Sequence, residues 1–129
     1  MAIYFKVQEK PNPQRPDEPK KFYAGAASIR RTDLEEIAES IAQSGSTVGK
    51  ADVYAVLVEL TDELTARITA GERVHLGGFG SFYATLKSEG VATPEEVRAS
   101  IVKDKNVRFA IGKDIEKALN EAEVRKLPK

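Results

Sequence analysis

Between Val74 and Phe82 the chain reads VHLGGFGSF, with Gly77, Gly78 and Gly80 wrapped around Phe79. Backbone amides left bare by glycine can cradle a phosphate, so this corner is the first place to look for chemistry. Its pattern is not that of a dinucleotide loop. A G-x-G-x-x-G turn has to open a helix, whereas GGFGSF runs into residues that alternate as in a strand. Val48–Asp52, VGKAD, lacks the upstream glycine and the hydroxyl after Lys50 that a phosphate-binding P-loop requires. His75 is the only histidine, on the polar side of a strand, and Ser81 has no base near it in sequence. The pairs Glu35/Glu36 and Asp62/Glu63 fall on helix surfaces, where solubility accounts for them. The chain has no cysteine, which removes disulfides, thiolate ligands and thiol nucleophiles, and it has no D-x-D-x-D-G loop for calcium. The expectation is a protein that is not an enzyme and carries no cofactor and no metal.

The corner makes better sense as architecture. Glycine allows a second backbone to approach closely, and Phe79 between glycines becomes an aromatic plug at the tip of a turn. Such a plug is useful only if something lies opposite it.

The elements around the corner raise the same demand. Thr32 and Glu35 are spaced as a T-x-x-E capping box, followed by Leu34, Ile37, Ala38, Ile41 and Ala42 at helical spacing as far as Ser44-Gly45. A second helix is predicted from about Thr47–Lys50 to Ala70, capped by Gly71, with Val53, Val56, Leu57, Leu60, Leu64 and Ile68 as its stripe. At 1.5 Å per residue it is roughly 30 Å long, too long for the first helix to cover. Arg73–Leu76 and Ser81–Leu86 read as strands on either side of the corner. Val107, Phe109 and Ile111 alternate as a third strand, and Lys113–Arg125 reads as a last helix. In the polar segment 87–106, Thr93 and Pro94 mark one helical turn.

Ahead of Thr32 lies a different kind of sequence. Ile3, Phe5 and Val7 alternate with Tyr4, Lys6 and Gln8 as in a half-buried strand, and KKFYAGA suggests a return strand after the proline-rich stretch PNPQRPDEP. The prediction is a small added hairpin, with Ile3–Val7 laid on a sheet edge. Residues 1–31 carry seven basic and three acidic groups, and residues 32–71 carry two basic and eight acidic. Over all 129 residues 20 basic groups balance 20 acidic ones, which gives no global attraction to nucleic acid or an anionic membrane. No apolar run approaches the 18–20 residues of a membrane span, and no signal-type segment opens the chain, so a cytoplasmic soluble protein is expected.

In order and spacing these elements resemble the HU/IHF family of bacterial nucleoid proteins. The family pattern around the corner, roughly G-x-x-V-x-L-x-G-F-G-x-F, is met by Gly71, Val74, Leu76, Gly78, Phe79, Gly80 and Phe82. Its later pattern, F-x-P-G-K, is met by Phe109, Gly112 and Lys113, with Ile111 in place of proline. The resemblance covers about residues 32–125, and the N-terminal segment is similar to that of an HU-related branch with an added strand. It implies an α+β fold with two N-terminal helices, a three-stranded antiparallel sheet and a C-terminal helix. Residues 1–31 are then an N-terminal extension and residues 32–129 the HU-like domain.

The resemblance further implies an intertwined homodimer, with Phe79, Phe82, Leu57, Leu60 and Leu64 as candidate interface residues. It implies sequence-nonspecific binding of double-stranded DNA in the nucleoid by a sheet saddle and two ribbon arms, each with a proline wedge. The candidate DNA contacts are Lys87, Arg98, Lys103, Lys105, Arg108, Lys113 and Lys117. The arm core R-x-G-R-N-P-x-T-G is absent here. KSEGVATPEEVRASIVKDKN stands in its place, with Pro94 expected at a helix start away from any ribbon tip, and with Glu89, Glu95, Glu96 and Asp104 opposing phosphate. The alternative is an HU-fold assembly module that has lost DNA bending or DNA binding and recruits a protein partner through the extension.

Overall fold

The computed structural model describes residues 1–10, 14–15, 17–45 and 47–128. The chain divides into two compact units, one made of residues 33–117 and the other of residues 1–32 with 118–129.

In the first unit, helices α1 (Leu34–Gln43) and α2 (Lys50–Thr69) pack against each other. Leu34, Ala38 and Ala42 form the shielded stripe of α1, with Ala38 fully buried, whereas Ile37 and Ile41 remain 40% exposed. The T-x-x-E capping box does not form. Asp33 occupies the N-cap position without a side-chain cap bond, which puts Thr32 one residue too early. Glu35 instead accepts a hydrogen bond from Lys50 Nζ at 3.2 Å, and Glu39 lies 3.8 Å from the same ammonium. That hydrogen bond, followed by the charges of both glutamates, raises the Lys50 pKa above its ordinary value. The clasp ties the first turn of α2 to α1. At the other end of α2, Gly71 takes φ +89° and its amide donates to the Ile68 carbonyl, the glycine stop expected there.

Strands β3 (Val74–His75), β4 (Gly80–Ser88) and β5 (Val102–Ile111) form an antiparallel sheet in that order, with α2 against β3 and β4. The strands before and after the corner differ in length from the expectation: β3 is only two residues, whereas β4 and β5 run on as a ribbon. The ribbon register holds from Gly80↔Ile111 to Lys87↔Asp104 and then slips, so that Ser88 faces Val102 and Lys103 is the extra residue of a bulge. Residues 89–101 close the ribbon through two short 3-10 turns, Pro94–Glu96 and Ala99–Ile101. Pro94 does open a turn capped at Thr93, but that turn lies in the loop at the ribbon's end, so the expectation that it stands away from the tip is corrected.

The glycine corner serves the chain's own backbone. The Leu76 amide donates to Gly80 O at 2.8 Å and the Phe79 amide to Leu76 O at 3.1 Å, closing the turn. The amides of Gly112 and Asp114 then donate to Phe79 O (2.8 Å) and Gly78 O (3.0 Å), which fastens the start of helix α3 (Lys113–Glu121) to the corner. Two glycines are obligatory. Gly80 has φ +151°, and a Cβ there would strike the Ala110 carbonyl oxygen; a Cβ on Gly112 would strike the Gly78 carbonyl. Phe79, Phe109 and Phe82 gather beside the turn, with ring centroids 5.1 and 4.8 Å apart in sequence of contact.

The second unit holds its own sheet, in the order β2 (Lys21–Ala27), β1 (Ala2–Lys10), β6 (Glu123–Lys126). β1 and β2 are antiparallel from Tyr4↔Ala27 to Lys10↔Lys21, as a hairpin requires. β6 runs parallel to β1, from Ala2↔Glu123 to Phe5↔Lys126. Two expectations are corrected here. Ile3–Val7 is not laid on an existing edge but is the middle strand of a separate sheet. The last helix stops at Glu121, and residues 123–126, expected to be helical as far as Arg125, are extended. Pro11, Pro13 and Pro16 of the proline-rich stretch lie outside the described residues.

Candidate nucleic-acid interface

Strand alternation and register sort the side chains of the β3–β4–β5 sheet into two faces. Phe82, Ala84 and Leu86 of β4 share one face with Phe109, Val107 and Lys105 of β5, and Val74 joins them opposite Phe82. The other face carries His75, Ser81, Tyr83, Thr85 and Lys87, with Ala110, Arg108, Asn106 and Asp104 opposite the last four. Tyr83 sits directly across from Arg108, and the guanidinium of Arg73 lies 4.3 Å from the centre of the Tyr83 ring. Two guanidinium groups therefore flank one tyrosine. Stacking on the ring holds Arg73 in place while its N–H groups stay free to face outward, and planar guanidinium forks suit phosphate oxygens.

The predicted DNA contacts are not brought together as one patch. Lys87 and Arg108 share the polar face, with Asp104 directly opposite Lys87. Lys105 points to the other face, across from Leu86. Lys103 is the bulge residue and its ammonium lies 3.5 Å from Glu89, which offsets its charge. Arg98 caps the second 3-10 turn in the loop, and exposed Lys113 and Lys117 follow each other at one helical turn along α3. Arg73 and Tyr83 were not among the predicted contacts. The signal was available: Arg73, His75, Ser81 and Tyr83 are the polar partners in the same alternation that places Val74 and Phe82.

The candidate interface residues share incomplete cover within their unit. Phe79 is 47% exposed and Leu60 40%, and Leu57, Leu64 and Phe82 are half-buried. Among the described residues of the whole chain only Ala38, Val53 and Ile68 are buried apolar side chains, and no large side chain is fully enclosed. Ser81, 4% exposed, is the buried polar residue, which leaves it out of reach of a substrate. Among the described residues no group of acids and histidine could hold a metal, and no helix is long and apolar enough to cross a membrane.

Solved structures share this fold, and two of them are informative. A chain of Anabaena HU, crystallised with DNA, superposes with a TM-score of 0.55 at 20% identity, over 70% of this chain and 99% of its own. A chain from Bacteroides vulgatus, described as a "Putative bacterial DNA binding protein", gives a TM-score of 0.63 at 21% identity. That match takes in 99% of this chain but 50% of the other, so the chain spans half the length of that relative. The family model for an HU domain fused to a winged helix-turn-helix, Ig or glycine-rich motif matches residues 1–126, and so includes both sheets and α3. HU architecture is non-enzymatic, and the chain belongs to this HU-HIG family.

Proposed function

We propose that the protein binds double-stranded DNA without sequence preference, as a homodimer, through the polar face of its β3–β4–β5 sheet. The observation that carries this reading is the Arg73–Tyr83–Arg108 row, one guanidinium stacked on the tyrosine ring and a second arginine directly across the strand from it. The likeness to an HU chain crystallised with DNA supports it. Cations on a sheet face contact phosphates, which position a protein without reading bases. Burial supports the dimer: among the described residues three buried apolar side chains are too few to hold a chain of this length, and Phe79 with the Leu57–Leu60–Leu64 stripe supplies the surface a second copy would cover. Such a protein belongs with the nucleoid.

Bending is expected to be weak. Pro94 begins a 3-10 turn in which the Thr93 hydroxyl is bonded to Glu96 Oε1 at 3.1 Å, and Glu95 and Glu96 repel the phosphates a wedge must pass. With two or three phosphate contacts per subunit, log K against log salt should slope at about −4 to −5. A fluorescence titration of duplex DNA at 50 and 200 mM salt tests this. Absence of binding at 50 mM would leave the second reading, an HU-fold assembly module. That alternative is favoured by the zero net charge and by the exposed apolar side chains of Val7, Phe22 and Val124 on one face of the terminal sheet, a surface for a protein partner.

A further inference from the structure

The terminal sheet, like the core sheet, sorts its side chains onto two faces. One face holds Ile3, Phe5 and Val7 with Phe22, Ala24, Ala26 and Val124. The opposite face holds Lys6, Lys10 and Lys21 with Tyr4, Tyr23 and Arg125. Lys10 and Lys21 are cross-strand partners at one end. Lys6 lies opposite Gly25, over which the neutral Gln8 side chain folds, and Tyr4 faces Arg125 further along. At about 3.3 Å per residue, the cations from Lys10 to the Tyr4–Arg125 row extend over roughly 20 Å. Among the paired residues the carboxylate on this face is Glu123, which is hydrogen-bonded to Arg125; Glu9 falls on the apolar face opposite Phe22. Three exposed lysines thus stand on one face of the sheet, with no carboxylate as cross-strand partner, in a chain whose total charge is zero.

We infer that this lysine–tyrosine face is a second contact surface for the phosphate backbone of duplex DNA, separate from the core-sheet face. The inference rests on the DNA-binding reading above. Charge complementarity selects the partner. Flexible ammonium groups spaced over 20 Å match a line of phosphates, and tyrosine hydroxyls can donate to the same oxygens. Phosphate contacts carry no base information, so the contact adds affinity and salt dependence without sequence preference.

The test compares two substitutions that change net charge equally. Lys6→Glu alters the basic face, and Lys126→Glu alters the apolar face, where Lys126 is the partner of Phe5. At 50 mM salt, losing one phosphate contact should weaken duplex binding about tenfold and flatten the salt slope by about 0.9. That result is expected for Lys6→Glu, with Lys126→Glu close to the unaltered protein. Amide shifts on adding duplex should also appear in residues 6–10 and 21–25. Equal losses for the two variants, with Arg108→Glu still harmful, would overturn the inference and leave the DNA-binding reading intact. No duplex binding by the unaltered protein at 50 mM salt would overturn both. Tighter binding of a single strand of equal length, weakened by Tyr23→Leu, would overturn the duplex assignment in favour of base stacking.

Discussion

The chain builds two three-stranded sheets by different means. The core sheet is antiparallel throughout, its strands follow one another in sequence, and its turn is locked by the backbone bonds that start α3. The terminal sheet joins a local hairpin to a strand from the far end of the chain, through four parallel register pairs. In the core sheet the aromatic residues cluster: Phe79 and Phe82 each pack on Phe109, with ring centroids 5.1 and 4.8 Å from it. In the terminal sheet Phe22 stays 68% exposed. The terminal sheet therefore depends on a pairing between segments more than a hundred residues apart.

The widest difference should appear at Phe79. About half of this ring remains available for burial by a second copy, so Phe79→Ala should cost roughly half of the ~1.5–3 kcal/mol for a buried phenylalanine, in each subunit. For a dimer that is about 1.5–3 kcal/mol, a rise in dissociation constant of about 10- to 150-fold. Sedimentation equilibrium reads this directly. Phe22→Ala, on the exposed sheet face, should leave the dimer unchanged. A stable monomer of the unaltered protein at micromolar concentration would remove the burial argument.

Glycine substitutions sharpen the contrast in stiffness. Gly80→Ala puts a side chain at φ +151° and against the Ala110 carbonyl, so it should cost about 1–3 kcal/mol in urea unfolding. Gly25→Ala also meets a neighbour, but that neighbour is the far end of the Gln8 side chain, which can swing away. Its cost should stay below about 1 kcal/mol. Equal losses at the two sites would show that the terminal sheet is as tightly held as the corner.

These sites also mark what the sequence could show. The corner was legible because its glycines, Phe79 and the flanking alternation are all local, and α2 was legible from its stripe and Gly71. β6 was not. Glu123–Lys126 continue a helical pattern through Ala118, Leu119 and Ala122, and only pairing with Ala2–Phe5, more than a hundred residues away, makes them extended. Tertiary context overrides propensity there. The polar contact site was half legible for a similar reason. Lysines and arginines can be counted in a sequence, but the slip after Lys87 and the stacking of Arg73 on Tyr83 decide which of them share a face. A one-residue bulge separates Lys103 from its neighbours, and no local pattern announces it.

The nonlocal strand gives the next test. Ending the chain after Ala122 should speed hydrogen exchange at amides within Ala2–Phe5, because β1 then changes from a middle strand to an edge. Amides of the β4–β5 ribbon between Gly80 and Lys87 should keep their protection. If both sheets lose protection together, they unfold as one cooperative body.

The smallest effect is expected at the clasp between α1 and α2. The terminal sheet has no comparable helix pair, so this contact reports on the core unit alone. Lys50 has its pKa raised, first by its hydrogen bond to Glu35 and then by the charges of Glu35 and Glu39. A cation whose pKa is higher folded than unfolded binds its proton more tightly in the folded state. Its contribution is therefore complete below the ordinary lysine value of 10.5 and is lost as pH rises through the raised value. The ammonium is exposed, so salt screens the interaction and its contribution is small even at neutral pH. Urea midpoints should accordingly fall slightly more between pH 9 and pH 11.5 for the unaltered protein than for Lys50→Met, which has no proton to lose there. The gap between the two should narrow in 1 M salt. A midpoint difference that persists unchanged at high pH and high salt would mean that the lysine stem packs on α1, and that the charge pair contributes nothing.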